Sequence, residues 1–161
     1  MEVFRATIED LQGWLTLAAE VEYLFGPMVS DPNFQKGLEK NINRGSAFCV
    51  REKNGKPGTR LLGGVLFSSA RAPQYNIGWL AVSSAARKKG VASRLLEHCM
   101  SLAEPPAEIS VVTFGEEVPD GHPARLLYQK YGFVPLPETL PPGPEGGSRQ
   151  KFTKAIRDSV M

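Results

Sequence analysis

The sequence predicts one α+β domain with a mixed, mostly antiparallel sheet. Its 161 residues are the length of a single domain. Segments with the two-residue periodicity of strands alternate with amphipathic helical segments, and the chain has no internal repeat and no linker. Hydrophobic residues make up 42% and charged residues 22%, which is close to the average of globular domains and excludes a disordered or collagen-like chain.

The N-terminal part predicts one strand and two helices. Residues 3–8 alternate and are rich in β-branched and aromatic side chains, as in a strand. Asp10 is a candidate N-cap for an amphipathic helix over 11–25, which Gly26-Pro27 ends. Asp31, followed by proline, predicts the N-cap of a second helix, which Gly45 stops. Together these helices span residues 11–45.

The rest of the chain predicts five further strands and two helices, followed by a loop. The strands are expected at about 46–52, 61–69, 76–82 and 109–114 and from 133, and the helices over 90–103 and 123–131. Five prolines and three glycines predict a loop over 135–147 rather than a separate domain. Residues 151–153 predict a last edge strand.

Composition and charge restrict the class of partner. A net charge of +2 does not suggest a nucleic-acid-binding protein, although residues 53–96 hold eight bases and no acid. A basic region in a nearly neutral chain suits one anionic ligand. No apolar run reaches the ~18–20 residues of a membrane span, and no secretory signal is visible. Two cysteines indicate reduced thiols, so we expect a cytoplasmic protein.

The strand-to-helix connection over 79–93 predicts an anion site. The strand ends at Val82, three bases follow at 87–89, and a helix begins near Gly90. A helix N-terminus offers unpaired backbone N–H groups and a positive dipole end, both of which favour phosphate. Gly90 and Ala92 add no bulk where an anion would approach. The segment matches neither a Walker loop nor a dinucleotide fingerprint.

These residues resemble the GNAT superfamily of N-acetyltransferases. Its central motif is a Leu-Ala-Val-like strand end followed by Arg/Gln-x-x-Gly-x-Gly/Ala, and the chain has Leu-Ala-Val at 80–82 and Arg-Lys-Lys-Gly-Val-Ala at 87–92. Residues 124–133 are similar to the family's Ala-x-x-Leu-Tyr-x-x-x-Gly-Phe. One departure is Gly121, at a place where many members have an asparagine that helps to hold the cofactor.

The resemblance implies an α/β/α arrangement of about four helices around a sheet splayed between its fourth and fifth strands. Acetyl-CoA would lie in the splay as co-substrate, within a core over 76–136, with its pantetheine amides on the backbone of Leu80 and Val82. Its pyrophosphate would lie on the N–H groups of 87–92. The residues expected to bind it are Leu80, Ala81, Val82, Arg87, Lys88, Lys89, Gly90, Val91, Ala92, Ser93, Pro123 and Leu127.

The implied reaction needs two proton transfers. An alkylamine with a pKa near ~10 must lose a proton before attack, and the departing thiolate must gain one. Tyr128 matches the family's general acid, although a packing role is the alternative. Glu116 is the candidate base, with Glu117 and His122 as alternatives. Two histidines and two cysteines form no metal-binding motif.

The resemblance therefore predicts an acyl-CoA-dependent N-acyltransferase acting on a small-molecule or peptide amine. The alternatives are an inactive acetyl-CoA-binding module and a nucleic-acid-binding protein. The helices over 11–45 would shape the acceptor pocket, with Glu22 and Phe25 as candidate substrate residues. Glu20, Glu22 and Asp31 would suit a small cationic amine with an apolar portion, and they equally fit a solvated surface. Dimers are frequent in the family, so the resemblance is also compatible with a homodimer.

Overall fold

The computed structural model describes residues 1–142 and 147–157. Within these ranges seven strands form one sheet, in the order β1–β2–β3–β4–β5–β7–β6, and five helices pack on it. The strands are β1 (Phe4–Arg5), β2 (Ala47–Arg51), β3 (Leu61–Arg71), β4 (Gln74–Val82), β5 (Ala107–Phe114), β6 (Val134–Leu140) and β7 (Arg149–Ile156). The helices are α1 (Leu11–Glu20), α2 (Glu22–Phe25), α3 (Pro32–Arg44), α4 (Val91–Leu102) and α5 (His122–Lys130).

The sheet is mixed, as predicted. All neighbouring strands are antiparallel except β4 and β5, which run parallel. A parallel pair needs a crossover connection, and α4 supplies it between these two strands.

Helices cover both faces of the sheet. The apolar stripe of α4, with Leu95, Leu96 and Cys99, packs with Tyr128 of α5 on one face. Trp14 of α1 and Leu38 of α3 pack on the opposite face. The two buried cores give the predicted α/β/α layers.

The first predicted helix is two helices in the structure. Val21, with φ −111° and ψ 9°, separates α1 from α2, and Gly26 ends α2. The second helix is as predicted: the Asp31 carboxylate accepts the Asn33 N–H at 2.9 Å, and Gly45 ends α3 in the left-handed conformation. The predicted first strand shortens to β1, since residues 8–10 form a 3-10 turn.

Asp10 does not cap α1, contrary to the prediction. Its carboxylate pairs with the Arg51 guanidinium through Nε at 3.1 Å and Nη2 at 2.7 Å, and both side chains are buried. The backbone N–H groups of Thr7 and Gly58 also donate to it. Burial raises the pKa of Asp10, but these hydrogen bonds outweigh burial and hold the pKa below its ordinary value.

The C-terminal loop prediction is wrong for residues 135–140, which belong to strand β6 and pair with β7. Proline is tolerated in a strand at the sheet edge, where one side of the backbone needs no partner, and β6 is that edge. The strand predicted at 151–153 is therefore internal rather than an edge. Residues 143–146 of the predicted loop lie outside the described residues. No helix in the described ranges is long and apolar enough to cross a membrane.

Candidate active site

The sheet opens between the C-terminal halves of β4 and β5. The two strands pair over 74–77 and 108–111, and the pairing ends there. At this point Gly78 is an extra residue in β4, opposite the junction of residues 66 and 67 in β3. A bulge of this kind bends its strand and increases its twist. The bulge accounts for the divergence of β4 from β5.

A cavity of about 240 Å³ lies in this opening. Residues of β4, β5, α2, α5 and β7 form its wall. They are Phe25, Ile77, Gly78, Trp79, Leu80, Val111, Val112, Thr113, Phe114, Ala124, Tyr128 and Arg149. The splay predicted between the fourth and fifth strands is thus confirmed.

The backbone of β4 beyond the bulge faces this opening. The N–H of Ser83 donates to Leu62 on β3 at 2.8 Å, so the backbone groups of Ser83 are directed toward β3. Backbone polar groups of successive strand residues point to opposite edges. The N–H and C=O groups of Leu80 and Val82 therefore point away from β3, into the opening.

The N-terminus of α4 follows this strand closely. Gly90 precedes the helix with φ +81°, and a Cβ built on it meets nothing within 4 Å. The first i→i−4 hydrogen bond of α4 runs from Arg94 to Gly90. The N–H groups of residues 91–93 therefore have no acceptor within the helix.

Three exposed bases surround this helix start. Arg87, Lys88 and Lys89 are all exposed, and Lys88 has φ +62°. The Arg87 guanidinium contacts the Tyr23 hydroxyl and lies 5.5 Å from the centre of its ring. Through Arg87, the connection between β4 and α4 is therefore in contact with α2, next to the cavity.

Tyr128 lies on the α5 side of the cavity and is 3% exposed. Its ring packs against Phe133 and Phe152, with centroid distances of 5.5 and 6.2 Å. Burial raises the pKa of Tyr128 far above the ordinary value of a phenol. The hydroxyl is consequently protonated at neutral pH.

The opposite wall of the cavity is aromatic. The ring of Phe25 lies 6.1 Å from Trp79 and 5.5 Å from Phe114, and Trp79 also packs on Trp14 at 5.7 Å. The predicted substrate residue Phe25 therefore lines the cavity.

Glu22, the other predicted substrate residue, does not line the cavity. Its carboxylate accepts the backbone N–H groups of Met28 and Val29 at 2.6 and 2.9 Å. Both hydrogen bonds lower the pKa of Glu22. Its side chain holds the turn after α2.

The predicted base also lies outside the cavity wall. Glu116 is exposed, and its backbone carbonyl accepts Nε2 of His122 at 2.7 Å. Glu117 is exposed as well, and the neighbouring Ser148 hydroxyl lowers its pKa. His122 thus fixes the loop before α5.

Neither of the two α5 residues predicted to bind the cofactor lines the cavity. Pro123 is exposed and Leu127 packs on the α4 core, whereas Ala124 lines the cavity. Gly121 has no room for the asparagine common in the family, because a Cβ there would lie 2.2 Å from the Cβ of Phe114.

Both cysteine thiols are buried and form no disulfide. Burial raises the pKa of Cys49 and of Cys99 to about 12. In the part of the chain that the structure describes, no three His, Cys, Asp or Glu side chains form a group able to hold a metal.

Sequence reasoning missed Trp79, Phe114, Ala124 and Arg149 as cavity residues. The sequence assigned Trp79 and Phe114 only to strands. In the structure these strands are β4 and β5, and both residues line the opening between them. Arg149 lies 35 residues after Phe114 and pairs with it across β5 and β7. No local signal in the sequence indicates that pairing.

A family model described as the acetyltransferase (GNAT) family matches residues 8–133. This chain belongs to the GNAT family. The match extends from the turn before α1 to the end of the motif after α5, and so includes every cavity residue named above except Arg149. A search of curated protein sequences found no significant match.

Solved structures show that the GNAT fold extends over nearly the whole chain. A GNAT-family acetyltransferase of Bacillus cereus is 19% identical, with a TM-score of 0.72 and 96% of each chain covered. Ard1 of Thermoplasma volcanium is 16% identical, with a TM-score of 0.76 and 98% of each chain covered. Naa50 of Arabidopsis thaliana, solved with the bisubstrate analogue CoA-Ac-MVNAL, is 16% identical; the TM-score is 0.73, with 96% of this chain and 98% of Naa50 covered.

Proposed function

We propose that this GNAT protein transfers the acetyl group of acetyl-CoA to a primary amine, by direct attack of the amine in a ternary complex. One arrangement of groups carries the proposal. The unpaired edge of β4 leads directly to the N-terminus of α4, which has no side-chain cap, and the protonated hydroxyl of Tyr128 lies beside the opening.

The co-substrate fits the groups that the chain presents. The backbone groups of Leu80 and Val82 can pair with pantetheine amides, as an added strand would. The N–H groups of 91–93 and the positive end of α4 suit a pyrophosphate. Because Gly90 has no side chain, the pyrophosphate can approach these N–H groups, and residues 87–89 supply positive charge.

Acetyl-CoA supplies a thioester whose carbonyl carbon accepts an amine. The N–H of Val82, directed into the opening, can donate to the carbonyl oxygen as negative charge develops there. The amine lone pair forms the C–N bond while the C–S bond breaks, and the electron pair of that bond leaves on sulfur.

Tyr128 is assigned as the proton donor to that sulfur. Burial keeps its hydroxyl protonated at neutral pH, so it can donate a hydrogen bond to the sulfur as negative charge develops there and supply the proton of the CoA thiol. The tyrosine is reprotonated from solvent after turnover.

The proposal contains no carboxylate base. None of the described residues that line the cavity is acidic, and Glu116 and Glu117 are exposed outside it. We assign removal of both amine protons, one before attack and one from the nitrogen once the C–N bond forms, to water that enters the open end of the cavity.

A pair of matched glycine variants tests the site. Gly90 and Gly58 both have positive φ, and a Cβ on Gly58 meets only the Glu9 carbonyl at 3.8 Å. Gly90→Val and Gly58→Val therefore both place a β-branched residue at a positive φ, but only the first lies at the proposed pyrophosphate site. Acetyl-CoA should raise the melting temperature of the wild type and of Gly58→Val, because it binds only the folded state. It should not do so for Gly90→Val.

Release of CoA with a panel of amines tests the reaction itself. Thermal stabilisation by acetyl-CoA without amine-dependent CoA release would indicate the binding module instead of the enzyme. Stabilisation of Gly90→Val equal to that of wild type would contradict the proposed pyrophosphate site.

A further inference from the structure

We propose that the acceptor is a monoamine with an apolar body and a carboxylate, in the class of apolar α-amino acids, and that Arg149 binds the carboxylate. This inference rests on the proposed acetyl transfer and specifies its acceptor. Arg149 would act as a specificity-determining residue and take no part in proton transfer.

Glu20, Glu22 and Asp31 each accept hydrogen bonds from groups of the protein itself. Glu20 accepts the hydroxyls of Ser83 and Ser84 at 3.1 and 3.0 Å. Glu22 holds the turn after α2, and Asp31 caps α3. Their contacts do not support the expectation that these acids bind a cationic acceptor.

The charge of the cavity wall disfavours a second cation. Among the lining residues that the structure describes, Arg149 carries a charge and none carries a carboxylate. A second ammonium group would lose water of hydration and gain a like-charged neighbour, and both effects disfavour its charged form.

The aromatic wall favours an apolar body. Phe25, Trp79 and Phe114 form one contiguous surface, with centroid distances of 5.5 and 6.1 Å about Phe25. Burial of methylene groups on such a surface is favourable, at about 0.8 kcal/mol for each fully buried CH₂. The cavity volume of about 240 Å³ also has to hold the thioester, so the enclosed part of the acceptor is small.

Arg149 is placed to recognise an anion. It begins β7 directly opposite Phe114, and its Nε donates to the Pro141 carbonyl at 2.9 Å. In the residues described, no carboxylate lies within salt-bridge distance of its guanidinium. The fork of a guanidinium matches a carboxylate with two parallel hydrogen bonds.

Four small amines separate these features. 2-Aminohexanoic acid has the proposed groups, pentylamine lacks its carboxylate, 1,5-diaminopentane adds a second cation, and 2-aminohexanamide replaces the carboxylate by an amide. Amine-dependent CoA release would be measured at saturating acetyl-CoA. Values of kcat/KM would be expressed per unprotonated amine, because the four amines differ in pKa.

The acid should exceed pentylamine and the amide by about 10- to 100-fold, the range expected for a charge-assisted pair of hydrogen bonds. Pentylamine should in turn exceed the diamine by about tenfold or more. Arg149→Gln should remove the preference for the acid over pentylamine and over the amide. Lys154→Gln removes the same charge from the same strand beside Gly132, and should keep the wild-type preference.

The acceptor inference is overturned if the diamine or pentylamine is the best substrate, or if Arg149→Gln keeps the preference for the acid. An amide equal to the acid would also overturn it, and would favour a peptide N-terminus. In each of these cases the proposed acetyl transfer stands. If none of the four amines releases CoA, the acceptor inference is overturned, and CoA release with the wider panel of amines then decides the proposed acetyl transfer.

Discussion

Two clusters of backbone and charged groups in this GNAT protein are built in opposite ways. The Asp10 carboxylate accepts four hydrogen bonds, two from Arg51 and one each from Thr7 and Gly58. The N-terminus of α4 presents the N–H groups of 91–93 without acceptors in the helix. Both clusters lie at the start of a helix or turn, and both combine charge with backbone N–H groups.

The difference separates a structural site from the proposed binding site. A buried ion pair whose hydrogen bonds are all made has nothing left to offer a ligand, and its removal leaves an uncompensated charge. Unpaired donors beside an open strand edge keep their interactions for a ligand. Mutations in the first cluster should therefore change stability, and mutations in the second should change acetyl-CoA binding or turnover.

Asp10→Ala should produce the largest effect. It leaves the Arg51 guanidinium buried and unpaired, and should lower the free energy of unfolding by about 3–5 kcal/mol. Urea denaturation would measure this loss, and the Kd of the folded variant for acetyl-CoA should equal that of wild type. Glu9→Ala removes the adjacent exposed carboxylate and should leave the midpoint close to wild type. A small loss in Asp10→Ala would show that the pair contributes little.

Tyr128→Phe should reduce kcat by ~10²-fold, equivalent to about 2.7 kcal/mol in the activation barrier. The ring and its contacts with Phe133 and Phe152 remain, so stability and acetyl-CoA affinity should change little. Tyr131→Phe is the control, since that hydroxyl bonds to the exposed Glu97. Wild-type turnover in Tyr128→Phe would assign Tyr128 to packing alone.

Acid should weaken the first cluster without mutation. The folded-state pKa of Asp10 lies below its unfolded value of about 3.9, so its contribution to stability is complete above that value. It is lost as the pH falls through the lower folded-state pKa. Urea midpoints of wild type and Asp10→Asn should therefore differ at neutral pH and converge in acid. A constant difference at every pH would contradict the lowered pKa.

Lys88→Gln and Lys89→Gln should have the smallest effects. Both side chains are exposed at the rim of the helix start, so each change should raise the Kd for acetyl-CoA less than about fivefold. The effect should diminish with added salt. Lys53→Gln is a matched control, because Lys53 also has positive φ but lies in the β2–β3 connection. An increase in Kd far above fivefold would place these lysines in direct contact with the ligand.

The sequence predicted those parts that depend on local patterns. The Asp31 cap, the Gly45 stop, the apolar stripe of α4 and the bases at 87–89 are all readable within a few residues, and the resemblance to GNAT proteins placed the splay.

Features that depend on distant partners could not be predicted in this way. Asp10 has the spacing of a cap, but Arg51, 41 residues away, pairs with it. Prolines at 135 and 137 indicated a loop, since the sequence does not reveal that β6 is an edge. The pairing of β5 with β7 places Arg149 at the cavity, and no local motif marks Arg149 in the sequence.

The extra residue Gly78 changes the parity of strand β4. Tyr75 and Ile77 before it contact the α4 core, and so do Leu80 and Val82 after it, whereas Trp79 and Ala81 contact the opposite core. A side chain at position 78 has room, since its Cβ would meet nothing nearer than 3.9 Å. Deleting the residue would instead exchange the faces of the four residues that follow and turn Trp79 toward α4. A substitution at position 78 would therefore alter the packing only locally. A deletion would change which side chains of β4 pack on each face of the sheet.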